Sequence, residues 1–244
     1  MRAWTAADIL RIWEEGKRSH WIERGLLLLA ACDDSKPSEM LSTLTIGERD
    51  ARLLGMREQL FGPQLLCITV CPRCRQQIEF DLKIPDLRVK KPDAAGDLYT
   101  VNEGEYEVVF RLPNSGDLSD LPQDADGSLG RQQMVKRCLR QAQRCGKDVQ
   151  HDKLPEEVIS AVVRFMSEMD PQADLRLRLE CPQCDYRWIE SFDILSFLWS
   201  EIQSYALRLL REVHVLASAY GWSETEILSL SSLRRQAYLE LIGT

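Results

Sequence analysis

The chain has 244 residues, 44% of them hydrophobic, and a formal charge of −7 at neutral pH. Such a length suffices for one large core or two smaller ones. The acidic balance argues against general affinity for nucleic acid, which clustered Lys and Arg would supply, and the local group Arg49, Arg52 and Arg57 is interrupted by acidic residues. No run approaches the roughly 18 consecutive apolar residues of a membrane span, and Met1-Arg2-Ala3-Trp4 lacks the regions of a secretory signal. A soluble cytoplasmic protein is expected.

The first sixty residues read as helical. Thr5 and Asp8 form a capping-box pattern ahead of Ile9, Leu10, Ile12 and Trp13. Trp21, Ile22 and the run Leu26 to Leu29 suggest a second helix, closed by the turn Asp33-Asp34-Ser35-Lys36-Pro37. Thr45 and Glu48 make another box, launching a helix that carries Leu53, Leu54, Leu60 and Phe61 and stops at Gly62-Pro63. Helical spacing alone explains these residues as core.

Two Cys-Pro-x-Cys steps follow, Cys71-Pro72-Arg73-Cys74 and, much later, Cys181-Pro182-Gln183-Cys184. Each lies between runs that alternate with period two: Leu66, Ile68 and Val70 before the first, Leu175, Leu177 and Leu179 before the second. That is strand behaviour, and a two-residue spacer lets both thiolates of a tight turn face one cation. Four thiolates make a closed structural zinc site, so Cys71, Cys74, Cys181 and Cys184 are expected to hold one zinc per chain. A redox dithiol would want its first cysteine at a helix start, whereas these knuckles are followed by strand patterns. Structural disulfides need an oxidising compartment. The zinc deaminase signature is missing: no His-x-Glu occurs.

Cys67 lies four residues before Cys71, about 13 Å away along a strand, too far for the same metal. Cys32, Cys138 and Cys145 read as small buried hydrophobes, the last two stacked on one side of a predicted helix. The histidines His20, His151 and His214 are scattered singly and are not expected to bind metal or act in catalysis.

Between the knuckles, Tyr106, Val108 and Phe110 alternate like a strand after the turn Asn102-Glu103-Gly104; Pro113 to Gly130 reads as an exposed loop. Arg131 to Arg144 is a predicted helix stopped by Gly146, and Leu154 to Met169 a second, with Pro155 near its first turn. Metal binding would close a loop of about a hundred residues, at a cost that grows only as the logarithm of length.

The last fifty residues carry the strongest helical signal. From Ile194 to Tyr220, apolar residues recur in steps of four and three, with Leu195, Trp199, Ala206 and Leu210 widening the stripe beyond that of a surface helix. Gly221 ends this helix. Ser223 with Glu226 starts a short one, and Ser231 or Ser232 caps a last one bearing Leu233, Ala237, Tyr238 and Leu241. Arg234 and Arg235 near its start oppose the helix dipole, so they are either solvated or held by an acidic partner, with solvation the default expectation. Trp222, Arg234, Arg235 and Tyr238 are the aromatic and arginine types that dominate binding hot spots and form a candidate partner-binding surface.

The series Thr45-Ile46-Gly47-Glu48-Arg49-Asp50 with Phe61-Gly62, the first knuckle, Phe110-Arg111-Leu112-Pro113 with Gly116-Asp117-Leu118, and the second knuckle resembles a family of T4-like phage baseplate proteins. The ending is similar too, in Glu212-Val213-His214 to Tyr220-Gly221-Trp222-Ser223-Glu224, Arg234-Arg235 and Tyr238-Leu239. The resemblance runs from about Thr45 to Ile242. It implies association with contractile phage tails or related bacterial contractile injection systems, where members are linked to the baseplate hub and its assembly, and it offers no catalytic residues. Zinc ribbons of this kind often carry glycine after the second knuckle cysteine, where this chain has Arg75 and Asp185.

The expected architecture is α+β: a zinc-ribbon-like β module assembled from two sequence-distant halves and flanked by N- and C-terminal helices. Its parts are a helical region over 1–62, the module over 63–90 plus 172–193, an insertion over 91–171, and a helical region over 194–244. The expected role is that of a non-enzymatic structural or assembly protein whose partners are baseplate hub or tube proteins. The alternatives are a zinc ribbon that binds nucleic acid, which would need a basic, aromatic-bearing face, and an enzyme, for which no phosphate loop, Gly-x-Ser-x-Gly or His-Glu-x-x-His occurs.

Overall fold

The computed structural model describes residues 4–32, 38–90, 92, 96–118 and 128–243. In chain order the helices and strands are α1 (Ala6–Lys17), α2 (Trp21–Cys32), α3 (Ser38–Ser42), α4 (Ile46–Phe61), β1 (Gln64–Val70), β2 (Gln77–Lys83), α5 (Ile84–Leu87), β3 (Tyr99–Glu103) and β4 (Tyr106–Phe110). They continue with α6 (Ser128–Cys138), β5 (Leu139–Arg144), β6 (Lys147–Asp148), α7 (Glu156–Met169), β7 (Leu175–Glu180), β8 (Arg187–Phe192), α8 (Ile194–Tyr220), α9 (Glu224–Ser229) and α10 (Ser232–Ile242). This is the mixed helix-and-sheet class expected, with small sheets only. The chain divides into two compact units, Met1–Asp33 with Ile194–Thr244, and Asp34–Asp193.

The first unit is helical. Thr5 caps α1 and Ser223 caps α9 through reciprocal capping boxes with Asp8 and Glu226, as their spacing predicts. The long helix α8 packs against α1, α2, α9 and α10, which explains the width of its apolar stripe: Leu198, Ile202, Ala206, Leu209 and Leu216 are all buried. Gly16 lets α1 approach α8 closely, since a Cβ there would overlap the Trp199 ring. Gly221 ends α8 with φ 70°, the left-handed conformation that favours glycine.

The second unit holds three antiparallel sheets, the hairpins β1–β2 and β7–β8 and the four-stranded sheet β3-β4-β5-β6. The four-stranded sheet buries Val101, Val108, Phe110 and Ala142 with Val135, Val158, Val162 and Met166 of α6 and α7. Phe165 meets Phe110 edge-on with ring centroids 5.8 Å apart, a favoured aromatic geometry. Thr45 caps α4 through its box with Glu48, and α3 is a short helix that the pattern did not announce.

Three expectations change here. The segment Arg131 to Arg144 is not one helix: α6 ends at Cys138 and the chain continues as β5, paired with β4. Pairing with the open side of β4 outweighs the modest helical preference of a short polar segment. Cys145 (φ 49°) and Gly146 (φ 76°) form the two-residue turn between β5 and β6, where two positive φ angles suit the twist of a hairpin. Cys138 and Cys145 therefore do not stack along a helix; Cys138 is fully buried and Cys145 exposed.

The stretch after Pro113 is not wholly an exposed loop either. Ser115–Leu118 forms a single 3-10 turn in which Ser115 and Asp117 are buried, drawn in because Asp117 makes a two-pronged ion pair with Arg111 at 2.5 and 2.6 Å. Residues 119–127, and the expected turn Asp33-Asp34-Ser35-Lys36-Pro37, lie outside the described residues.

Candidate metal centre

Each knuckle is the turn of a hairpin, and the two turns are built alike. In the first, the Cys71 N–H donates to the Gln76 carbonyl at 2.9 Å and the Arg75 N–H to the Cys71 carbonyl at 3.0 Å. In the second, Cys181 donates to Tyr186 and Asp185 to Cys181, both at 2.9 Å. Arg75 (φ 65°) and Asp185 (φ 53°) both adopt the left-handed conformation. The position where such knuckles often carry glycine thus has the backbone that favours glycine, occupied here by other residues.

The turns bring the four thiols together across more than a hundred residues of sequence. Cys71 Sγ lies 3.8 Å from Cys184 Sγ, and Cys74 Sγ lies 3.5 Å from Cys181 Sγ. All four sulfurs lie within 4.8 Å of one another. Tetrahedral zinc with Zn–S bonds near 2.3 Å sets its sulfurs about 3.8 Å apart, so this donor set fits one zinc. Cys71 and Cys181 are fully buried, Cys74 is exposed and Cys184 intermediate.

The thiols ionise unequally: Cys71 favours the thiolate, whereas Cys74 and Cys184 favour the neutral thiol. Burial opposes ionisation of Cys71, but backbone N–H groups of Cys74 and Arg73 at its sulfur outweigh that and bring it down to about 6. The Tyr186 N–H favours the Cys184 thiolate, yet burial and the three neighbouring sulfurs push this thiol up to about 12. Four sulfurs this close cannot all be anionic without a cation between them.

The remaining candidates fall elsewhere. Cys67 is buried on β1 opposite Phe80 and outside the four-cysteine group. Burial, with the Asp117 carboxylate beside it, pushes the Cys138 thiol up to about 12, which makes it an inert core residue. No histidine joins a metal-competent cluster among the described residues: His20 lies beside Trp21, His151 in a short 3-10 turn and His214 on α8.

The C-terminal candidates separate in the structure. Trp222 stacks on Tyr220 with centroids 4.7 Å apart and meets Tyr238 edge-on at 4.9 Å, while Arg234 is exposed. Arg235 is only 3% exposed, its Nε donating to Glu212 at 2.9 Å and its Nη1 to the Leu230 carbonyl at 2.7 Å. The default of solvation therefore fails for Arg235, whose acidic partner lies in this chain. Leu233 and Leu241 on the same helix are 80% and 65% exposed.

Sequence reasoning also missed what the motif around Thr45 does. The Gly47 N–H donates to Asp170 at 2.9 Å, the Ile46 N–H to the Pro113 carbonyl at 3.1 Å, and Arg49 pairs with Asp50 at 2.7 Å in the interior. The adjacent charges Arg49-Asp50 in a helix with buried neighbours were the available signal.

A mixed helix-and-sheet chain with a four-thiol cluster between two hairpins, and no helix among the described residues long and apolar enough to cross a membrane, is the class that these observations define. The family model described as T4 bacteriophage base plate protein matches residues 7–199. The chain belongs to that family. Searches of curated proteins and of solved structures found no match.

Proposed function

We propose that this chain is a non-enzymatic structural or assembly protein of the baseplate, at its hub, in a contractile phage-tail-like injection system. The observation that carries the reading is the family match over residues 7–199. One structural zinc on Cys71, Cys74, Cys181 and Cys184 joins the two hairpins into a zinc-ribbon-like module; the sulfur spacing supports this. The zinc closes the chain on itself with no ligand position left for substrate, so its contribution is to folding. Assembly takes place in the cytoplasm.

The partners are hub or tube proteins, met by the segment from Trp222 to Ile242. Its exposed Leu233, Arg234 and Leu241 lie on the same helix as Tyr238, whose ring packs with Tyr220 and Trp222 as an aromatic anchor of the kind that dominates interfaces. A nucleic-acid reading would need a basic, aromatic-bearing face: the exposed face of β1–β2 carries Glu79 and Asp81, and that of β7–β8 sets Arg176 and Arg178 opposite Ser191 and Ile189 with no aromatic residue beside them.

The test is co-purification from the native host with the tagged chain and its Trp222→Ala, Arg234→Glu and Leu233→Asp variants. The wild-type protein should bring down baseplate proteins, and the variants should lose them while keeping zinc and helicity. Variants that recover the same proteins would refute the docking segment. A wild-type chain that recovers none would refute the baseplate role.

A further inference from the structure

Each hairpin leaves one face in solvent. On the first, Leu66, Ile68 and Val70 are 77%, 66% and 48% exposed, a contiguous aliphatic row of the kind that marks interaction surfaces. The register sets Asp81 opposite Leu66 and Glu79 opposite Ile68. On the second hairpin, Arg176 stands opposite Ser191, and Arg178 opposite Ile189, which is 61% exposed. Arg178, Glu79 and Asp81 have no ion-pair partner among the described residues.

Counted from the cysteines, these positions are equivalent. Ile68 and Arg178 each lie three residues before the first cysteine of a knuckle, and Glu79 and Ile189 five after the second. The centre of each face is thus an isoleucine beside a charge, with the sign of the charge and the strand that carries it exchanged. When two such hairpins stack face to face with their knuckles pointing the same way, the first strand of one lies across the second strand of the other. Ile68 then meets Ile189, Glu79 meets Arg178 and Asp81 meets Arg176, which also holds Asp174 of its own chain; Val70 meets Arg187, whose charge stays paired with Glu180. With the knuckles opposed, Ile68 would cover Arg178 and Ile189 would cover Glu79, stranding both charges against apolar groups.

We infer that the exposed β1–β2 face of one copy docks on the exposed β7–β8 face of a second copy, knuckles parallel. Charge complementarity selects the occupant, because the matching face is present on the same chain. The two faces differ, so the contact is heterologous: each docked pair keeps one free face of each kind, and further copies add until a ring closes or a filament extends. This inference does not depend on the baseplate role.

The test is sedimentation velocity of the full-length, metal-loaded protein over a concentration series, with metal content and circular dichroism recorded for every variant. The chain should self-associate, and Glu79→Arg, Arg178→Glu and Ile68→Asp should each weaken association about tenfold or more. All three positions are exposed, so the fold and the metal should persist. The combined Glu79→Arg/Arg178→Glu chain should recover association, because the pair is restored with its signs exchanged. A wild-type protein that stays monomeric at every concentration overturns the inference, as does association indifferent to the three substitutions or a double variant that fails to recover.

Discussion

Gly47 and Asp170 are 123 residues apart in sequence, yet the Gly47 N–H at the start of α4 donates to the Asp170 carboxylate at the end of α7 at 2.9 Å. A carboxylate there meets an otherwise unpaired donor and the positive end of the α4 dipole. Glycine is required by space, since a Cβ at position 47 would overlap the carboxylate. Gly47→Ala should therefore cost about 1–3 kcal/mol in denaturant unfolding, from steric displacement and the lost bond. In a double-variant cycle with Asp170→Ala the losses should be well below additive; full additivity would show that the two residues act separately.

Asp50, three residues further along α4, gives a pH signature. Burial raises its carboxyl from the ordinary 3.8 to about 6 despite the opposing Arg49 beside it, with Asp193 and Asp170 adding to the rise. The folded state thus holds this proton more tightly than the unfolded state. Its contribution to stability is fully present below about pH 3.8 and lost as pH rises through about 6. Asp50→Asn mimics the protonated form, so relative to wild type it should gain roughly 2 kcal/mol between pH 4 and pH 7. A stability difference between the two proteins that does not vary with pH would disprove the shift.

How much of this was legible in the sequence depended on whether the signal was local. Capping boxes at Thr5, Thr45 and Ser223 involve neighbours three residues apart, and all three form as their spacing predicts. The four cysteines were legible despite their separation because zinc chemistry restricts what such a pattern can mean, and their sulfurs do converge. The strand Leu139–Arg144 was not, because its conformation is set by β4, some thirty residues earlier. Nor was the burial of Arg235, which depends on Glu212 lying one helix away; from sequence an arginine near a helix start looks solvated. In the same way Arg111 and Asp117 were visible as motif residues but not as an ion pair.

Arg235 should matter more than its neighbour. Removing Arg235 takes from the largely buried Glu212 its close partner and leaves it only Arg208, 3.9 Å away on the same helix, at a cost of about 1–3 kcal/mol. Arg235→Met should thus accelerate hydrogen exchange in α9 and α10, whereas exposed Arg234→Met should leave it unchanged. Adding Glu212→Leu to Arg235→Met should restore much of the protection, because the poorly paired carboxylate is gone. Unaltered exchange in the single Arg235 variant would mean that the pair does not hold the C-terminal helices.

The left-handed turn residues predict a size rule. Arg75 sits at φ 65°, a conformation tolerated by unbranched residues and strained for β-branched ones. Arg75→Gly should preserve stability and metal content, while Arg75→Val should lose about 1 kcal/mol or more. Thermal unfolding with parallel metal analysis separates the two, and a valine variant as stable as the glycine one would contradict the turn geometry.

The metal itself provides the last prediction. The purified protein should contain one zinc per chain, since the four sulfurs lie at separations that suit a single tetrahedral ion. Cys71→Ser should lose it, because Cys71 is fully buried at the centre of the first knuckle and three thiolates bind far less tightly. Cys138→Ser should keep it, because that thiol is held protonated in the core of the four-stranded sheet. Structural zinc contributes on the order of 10 kcal/mol in small fingers, so a strong chelator at neutral pH should accelerate hydrogen exchange first in the amides of the two knuckles and their strands. The α6–α7 core and the helical unit, which bury apolar surface of their own, should exchange later. Metal analysis alongside site-resolved exchange decides the matter: zinc content unchanged in Cys71→Ser, or knuckle amides indifferent to chelation, would remove the four cysteines as a metal site.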